Sequence, residues 1–440
     1  MQKRTPGLLR LLQSPRVIVF SALIPRVIFA TDFVLQNSRR ALATIPFLFE
    51  PGNIAAALVT GQGFSSPLRV PTGPTAWCAP VYPLLLAGIF RLFGLYTYRS
   101  FLAALTLNVA LSAATAWCIV RLGSVVMNPA LGAAAGWLWA LFPNAILIPF
   151  EDVCWEATLA ALLATILMLR TLRLWQQESL GAWVSYGVLW GVALLTTPTL
   201  ASVFVLLLGW LVWKSPPGTR ARRSLVTVAA IALCCAPWTV RNALVFHQWI
   251  PIRSTLGLQL WMGNSEHADP IWLGTYHPIF NPAERERYIR LGEPAYMKEK
   301  EKAALHYMMN HPRRVAMLAA RRFVAFWAGG TPYPLRDWFS HPSWWFRYVL
   351  TFNLLLAVAA AVGLFSLFRQ RHPYWFPLSA LPVIYPFAYY LTLAIPRYRL
   401  PADPVVNLLA AVGCQSCSRA TRRLWLEMQR RICGAHRSVV

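Results

Sequence analysis

The sequence predicts an all-α, polytopic membrane protein, and three observations carry that prediction. Apolar residues make up 57% of its 440 residues and charged residues only 13%, against about 25% charged in an ordinary soluble domain. Apolar runs recur along the chain, about ten of them near the length of a bilayer-crossing helix. Basic residues cluster between alternate runs, as they do in cytoplasmic loops. This composition excludes a disordered chain and argues against a water-soluble enzyme. The 41 Lys and Arg outnumber the 16 Asp and Glu, for a net charge of +25. The cations are spread over loops and build no single basic face, so the expected partners are membrane lipids and not nucleic acid.

The elements follow in order. Lys3, Arg4, Arg10 and Arg16 precede the first apolar run, Val17–Leu35. Pro25 and Arg26 interrupt that run and no convincing small-residue cleavage site follows, so it reads as a retained span that starts in the cytoplasm. Residues 36–100 form an outer loop with two short helices, near Asn53–Val59 and Val81–Phe93. The second is too short to cross and is expected at the interface. Further spans read as Phe101–Val120, Ala130–Pro149, Val153–Met168, Leu180–Thr196, Leu200–Trp213 and Leu225–Thr239. The last three are Tyr348–Phe368, Trp375–Leu393 and Val405–Val412 with its flanks.

The loop charges orient these spans. Arg121, the Arg170/Arg173 pair, the Lys214–Arg223 cluster and Arg369/Arg371 fall on one side with the basic tail. Both termini are therefore expected in the cytoplasm, with the chain in the plasma (inner) membrane. Four units result: a transmembrane module over 1–241, which carries the outer loop; a small extracytoplasmic α-rich subdomain over 242–346; transmembrane helices over 347–413; and a basic cytoplasmic tail over 414–440. The subdomain holds most of the acids and is predicted to contain a helix near Ala295–Met309. Val315–Trp327, which contains Arg321 and Arg322, reads as interfacial.

Carboxylates near a bilayer are costly unless paired or wet, so they are candidates for function. Away from the subdomain they are few: Asp32, Glu50, the Glu151/Asp152/Glu156 cluster and Asp403, all placed on the outer side. Such groups either stabilise a helix N-terminus or do acid–base work. Seven arginines also lie outside, against the charge bias: Arg39, Arg40, Arg69, Arg241, Arg253, Arg397 and Arg399. Each either anchors a headgroup or binds phosphate oxygens in a fork. Together with the acids they point to a lipid-linked phosphate held near a reacting centre.

Four stretches carry a resemblance: Glu50–Ala55 leading to Gly61–Phe64; Gly73–Trp77 with Pro80–Leu84; Pro237–Asn242 followed by Gly257–Asn264; and Arg397–Pro401. In these the chain resembles the GT-C superfamily of polytopic glycosyltransferases, nearest to the bacterial glycosyltransferase family 39-like proteins. The resemblance spans residues from about 17 to 410 and implies roughly a ten-span fold of this kind. It implies a polyprenyl-phosphate-linked sugar donor, transfer to an acceptor on the extracytoplasmic face, and usually inversion. Glu50 matches the acidic position of the first outer loop, where Asp is commoner. Glu151 or Asp152 matches the second acidic position, with Glu156 as the fallback. Arg241, Arg397, Tyr398 and Arg399 match basic positions near the donor phosphate. The acceptor, whether protein, glycolipid or wall polymer, is left open, and so is a requirement for a divalent metal; no cofactor is assigned. The competing function is a transporter or flippase of lipid-linked sugars, which would place its ionisable groups near mid-bilayer in two matching halves.

Smaller signals are read as structure. Cys78 and Cys154 lie on the outer side, within pairing distance of each other only if the fold brings them together. Cys414, Cys417, Cys433 and His436 have a spacing that allows tetrahedral zinc, in a short basic tail. His267, His277, His306 and His311 are read as ordinary polar surface. The Trp338–Trp345 stretch is read as an interfacial anchor.

Overall fold

The computed structural model describes residues 7–271 and 274–437, without the side chains at 8, 9, 420, 422–424 and 426–437. The zinc reading therefore lies partly outside the described residues. Its described members, Cys414 and Cys417, are free and exposed. Among the described residues every regular element is helical, and strand-like pairing is limited to an isolated bridge between Ser65 and Pro74.

Five helices are long and apolar enough to cross a membrane: Pro15–Gln36, Tyr98–Val126, Ala157–Leu174, Pro217–Phe246 and Trp344–Arg369. Two bent pairs bring the number to seven if each is one span. Pro129–Leu141 turns by 47° into Pro143–Glu151, and Arg39–Phe47 turns by 97° into Glu50–Val59. Leu180–Leu194 has 15 residues and so rises only about 22 Å. The run beginning at Trp375 is broken into Trp375–Ser379, a π-helical turn at Ala380–Ile384, and Phe387–Leu391. Pro382 and Pro386 each lack the N–H that a regular helix needs there, whereas Pro377 falls in the first turn where none is needed; Tyr385 N–H reaches back to the Ala380 carbonyl.

Large apolar side chains stay open along these helices. Leu225, Leu233, Leu244, Leu355 and Val358 are between 64% and 75% exposed, as lipid-facing residues would be and a soluble protein's core would not. The centre of the bundle is the first part of Asp403–Arg437, where Val405, Val406, Leu408, Leu409 and Val412 are buried. It crosses Trp344–Arg369 at very close range. A Cβ on Gly363 would run into the Leu409 carbonyl, and one on Gly413 into the Ala359 carbonyl. Small residues permit this approach, which is the means by which helices gain packing in lipid.

Arg26 explains how the first span tolerates a charge. It is fully buried, and donates to Ser112 Oγ (2.8 Å) and to the Ala22, Ala140 and Trp139 carbonyls. Pro143 has no N–H to give the Trp139 carbonyl, which keeps a 3.3 Å bond from Phe142 N–H and takes the guanidinium as its second donor.

The polar segment after Phe246 carries helices Leu256–Gly263, Pro282–Leu291, Glu293–Asn310, Pro312–Ala328 and Pro334–Ser340. It is fastened to the 36–100 segment through Glu293. That buried carboxylate accepts from Thr75 Oγ1, Ala76 N–H (2.7 Å), Ser254 Oγ (2.7 Å) and Tyr288 OH (2.7 Å). Arg322, in the helix read as interfacial, is fully buried and donates to the Gly263 and Tyr390 carbonyls. It joins this segment to the broken helix below.

Candidate active site

Glu50 opens the helix Glu50–Val59 just after the 97° turn, with Pro51 in the first turn. The sharp turn places its side chain inside the protein, 2% exposed. Its Oε1 lies 2.9 Å from His277 Nε2. Burial pushes the Glu50 carboxyl up, while the hydrogen bond with His277, its own backbone N–H and the Arg397 guanidinium beyond pull it down. Trp77 stands edge-on to the imidazole, with ring centres 5.7 Å apart.

Beside this pair, Asp152 and Arg397 form a 3.0 Å ion pair. Asp152 caps the C-terminal end of Pro143–Glu151, and Arg397 sits on the short helix Pro396–Arg399. The Arg397 guanidinium lies 3.9 Å over the Trp155 ring, so one face is stacked while an edge is held by Asp152. Glu156 and Arg253 face each other at 4.0 Å, and Arg253 Nε donates to the Trp77 carbonyl (2.9 Å).

Of these groups, Trp155, Glu156, Arg253 and Arg397 line a cleft of about 620 Å³, and Asp152 stands against it through Arg397. Trp155, Glu156, Arg253, Arg397, Tyr389 and Tyr398 form its polar part; Leu194, Pro198, Leu256, Leu260, Leu391 and Pro401 form its apolar part. Two guanidiniums beside a hydrocarbon wall make a slot suited to an anion that carries an apolar tail. Among the described residues, no group of three or more His, Cys, Asp or Glu side chains is placed to hold a metal ion.

No protein-family model matches the chain, and no curated protein matches it. Solved structures do. The archaeal oligosaccharyltransferase AglB from Archaeoglobus fulgidus, in complex with an inhibitory peptide and a dolichol-phosphate, superposes with a TM-score of 0.54 at 13% identity. The match covers 94% of this chain and 52% of that one. The apo form of the Archaeoglobus fulgidus oligosaccharyltransferase gives the same TM-score and coverage at 12% identity. AglB is a GT-C superfamily glycosyltransferase. The fold is GT-C. The likeness at this identity is one of fold, and the chain spans about half the length of the AglB chain.

Within this GT-C fold the residues singled out in the sequence separate into two groups. Arg397, Tyr398 and Glu156 line the cleft, Asp152 is paired to Arg397 at its edge, and Glu50 is buried against His277 without lining it. Glu151 is exposed at the end of its helix. Arg241 is half-buried between Phe64, Trp238 and Phe246, and donates to the Thr75 and Phe64 carbonyls (both 2.8 Å). Arg399 is fully buried. It donates to Asp403 Oδ1 (2.6 Å), Asn353 Oδ1 (2.9 Å) and the Trp327 carbonyl (2.9 Å).

His277 is a correction: read as polar surface, it is 6% exposed and holds Glu50. Arg253 and Trp155 also belong to the cleft, although the sequence marks Arg253 only as one outer cation among seven. Cys78 and Cys154 are both buried and free, and electrostatically within reach of each other and of Glu50.

Proposed function

We propose that the chain is a membrane glycosyltransferase. It moves a sugar from a polyprenyl-phosphate-linked donor to an acceptor at the extracytoplasmic face, with inversion. The observation that carries this reading is the cleft in which Arg397 and Arg253, each held by a carboxylate (Asp152 and Glu156), stand beside apolar side chains.

Arg397 and Arg253 take the donor phosphate and the prenyl tail lies along the apolar wall. The acceptor hydroxyl oxygen attacks the anomeric carbon. The bond from that carbon to the phosphate oxygen breaks, and polyprenyl phosphate leaves with the electron pair, its charge met by the guanidiniums. Glu50 receives the hydroxyl proton. A single in-line displacement inverts the centre. Asp152 aims Arg397, Glu156 does the same across Arg253, and the Tyr398 ring lines the phosphate end. In this assignment Arg241 and Arg399 brace the scaffold instead of touching the donor.

The reading extends to topology: ten spans in the plasma membrane, both termini cytoplasmic, and the 242–346 segment over the outer face. The complex of AglB with a dolichol-phosphate supports a lipid-linked donor, and its inhibitory peptide makes a peptide one acceptor worth testing.

The test uses the purified chain in lipid nanodiscs with a panel of polyprenyl-phosphate monosaccharides, scoring donor loss with and without peptide and glycolipid acceptors. Glu50→Gln is expected to lower turnover by about 100-fold or more. Full turnover in a folded Glu50→Gln variant overturns the assignment. Donor translocation in liposomes without donor consumption identifies a flippase instead.

A further inference from the structure

His277 and Glu50 come from opposite halves of the chain and are both buried, and the imidazole has a defined orientation. Its Nδ1 accepts the Ile279 backbone N–H (3.2 Å). A nitrogen that accepts carries no proton, so the ring proton sits on Nε2, which points at Glu50 Oε1 2.9 Å away. Trp77 and Phe280 flank the ring, with centres 5.7 Å away in each case. The tautomer and the ring plane are thus both fixed by groups outside the carboxylate.

We propose that His277 is the positioning residue of this site: its Nε2–H locks one Glu50 oxygen and keeps that carboxylate ionised for proton acceptance. The inference rests on the transferase reading for its consequence, though not for its geometry. His277 does not pass the proton on. Its second nitrogen is occupied by Ile279 N–H, so an imidazolium would set two N–H groups against each other. The proton taken from the acceptor hydroxyl stays on Glu50 until it exchanges with water. The other groups that act on Glu50 are its own backbone N–H and Arg397, both favouring its charge; the thiols of Cys78 and Cys154, pushed up by burial and by the Glu50 charge, stay neutral beside it.

Two substitutions separate positioning from folding. His277→Asn keeps an oxygen that can accept the Ile279 N–H, as Asn does in an Asx turn, but is too short to reach Glu50. His277→Gln extends an N–H donor to roughly the place of Nε2. The full-length protein in nanodiscs is titrated by infrared difference spectroscopy. The carboxylic-acid C=O band that disappears in Glu50→Gln reports the protonation of Glu50. In parallel, the pH profile of hydrolysis of an undecaprenyl-phosphate-linked hexose is recorded as the probe of turnover.

The expected result is a rise of about one pH unit in the band midpoint for His277→Asn, with most of the rise cancelled in His277→Gln. The acid limb of the turnover profile should move with it. An unchanged midpoint in His277→Asn overturns the inference, as does a His277→Gln midpoint no closer to wild type. A midpoint that moves while the turnover profile stays fixed upholds the positioning of Glu50 and removes Glu50 from catalysis, so the two readings fail separately.

Discussion

Arg397 Nη1 lies 3.0 Å from Asp152 Oδ1 although 245 residues separate them. The same guanidinium is stacked 3.9 Å over Trp155, three residues beyond that aspartate. One short turn, 152–155, therefore fixes both the edge and the face of the arginine. A guanidinium held in this way meets an incoming phosphate with its direction already set, and little rotamer freedom remains to be lost on binding.

Removing one half of that clamp should weaken donor binding before it slows chemistry. Asp152→Asn is expected to raise the donor KM by about tenfold, with a smaller effect on kcat. Arg397→Lys should be worse, because an ammonium cannot stack and fork at once; the lost cation–π contact alone is worth about 2 kcal/mol in a desolvated site, or roughly 30-fold. Steady-state turnover with titrated donor checks both. A kcat loss at unchanged KM would place Arg397 on the transition state alone.

Arg399 is expected to behave oppositely, since it sits in a closed network with Asp403, Asn353 and the Trp327 carbonyl. Arg399→Ala leaves a buried aspartate without its partner, and should destabilise the protein by about 3–5 kcal/mol. The double variant Arg399→Met with Asp403→Leu should recover much of that loss. Thermal unfolding in detergent measures the stability, and turnover per folded molecule should stay near wild type. A large drop in turnover at wild-type stability would return Arg399 to the donor site.

These contrasts show which parts of the site are legible in a sequence. Glu50, Asp152 and Arg397 stand out because charge beside lipid is costly, and few such residues occur at the outer ends of the apolar runs. Arg241 and Arg399 carry the same signal, yet their charge is spent on backbone carbonyls and on Asp403. A cation's sign does not say which acceptor it meets. His277 is illegible for another reason. Its partner lies in the 36–100 segment, and the surrounding residues 274–281 have no periodicity that would mark a buried face. The helices are read more easily: Val81–Phe93 has the same bounds in sequence and structure. The run from Trp375 is apolar enough to suggest one rod, whereas Pro382 and Pro386 break it into pieces.

Arg26 offers a test of how the first span is held. Arg26→Leu is apolar and of similar size, so a view based on hydropathy alone expects stabilisation. The carbonyls of Trp139 and Ala140 argue the reverse, because both lose the guanidinium in a water-poor interior and Trp139 keeps only the long bond from Phe142 N–H. A loss of about 1–3 kcal/mol is expected. Arg26→Lys should restore part of it, since an ammonium still donates to one or two of the carbonyls. Unfolding in a denaturing detergent series checks the order wild type, Lys, Leu. A Leu variant as stable as wild type would mean that the bend at Phe142 satisfies its own carbonyls.

Glu293 should be the most sensitive fastening between the 36–100 segment and the 242–346 segment. Four donors converge on its carboxylate: Thr75 Oγ1, Ala76 N–H, Ser254 Oγ and Tyr288 OH. Hydrogen bonds to a charged group are worth about 1.5–3 kcal/mol each in net stability. Glu293→Gln keeps the shape and can set its NH2 against Thr75 Oγ1 and Tyr288 OH, hydroxyls that accept as well as donate, while its oxygen keeps Ala76 N–H and Ser254; only the charge is lost. It should therefore be milder than Glu293→Ala. Because Thr75 and Ala76 precede Trp77, which packs on His277 and whose carbonyl holds Arg253, loosening this knot should also disturb the cleft. Hydrogen exchange is expected to rise over residues 64–77 in both variants, together with a fall in donor turnover. Faster exchange at unchanged turnover would show that the cleft keeps its geometry without this tie. Unchanged exchange would show that the loop is held by its apolar contacts, Phe64 against Trp238 first among them.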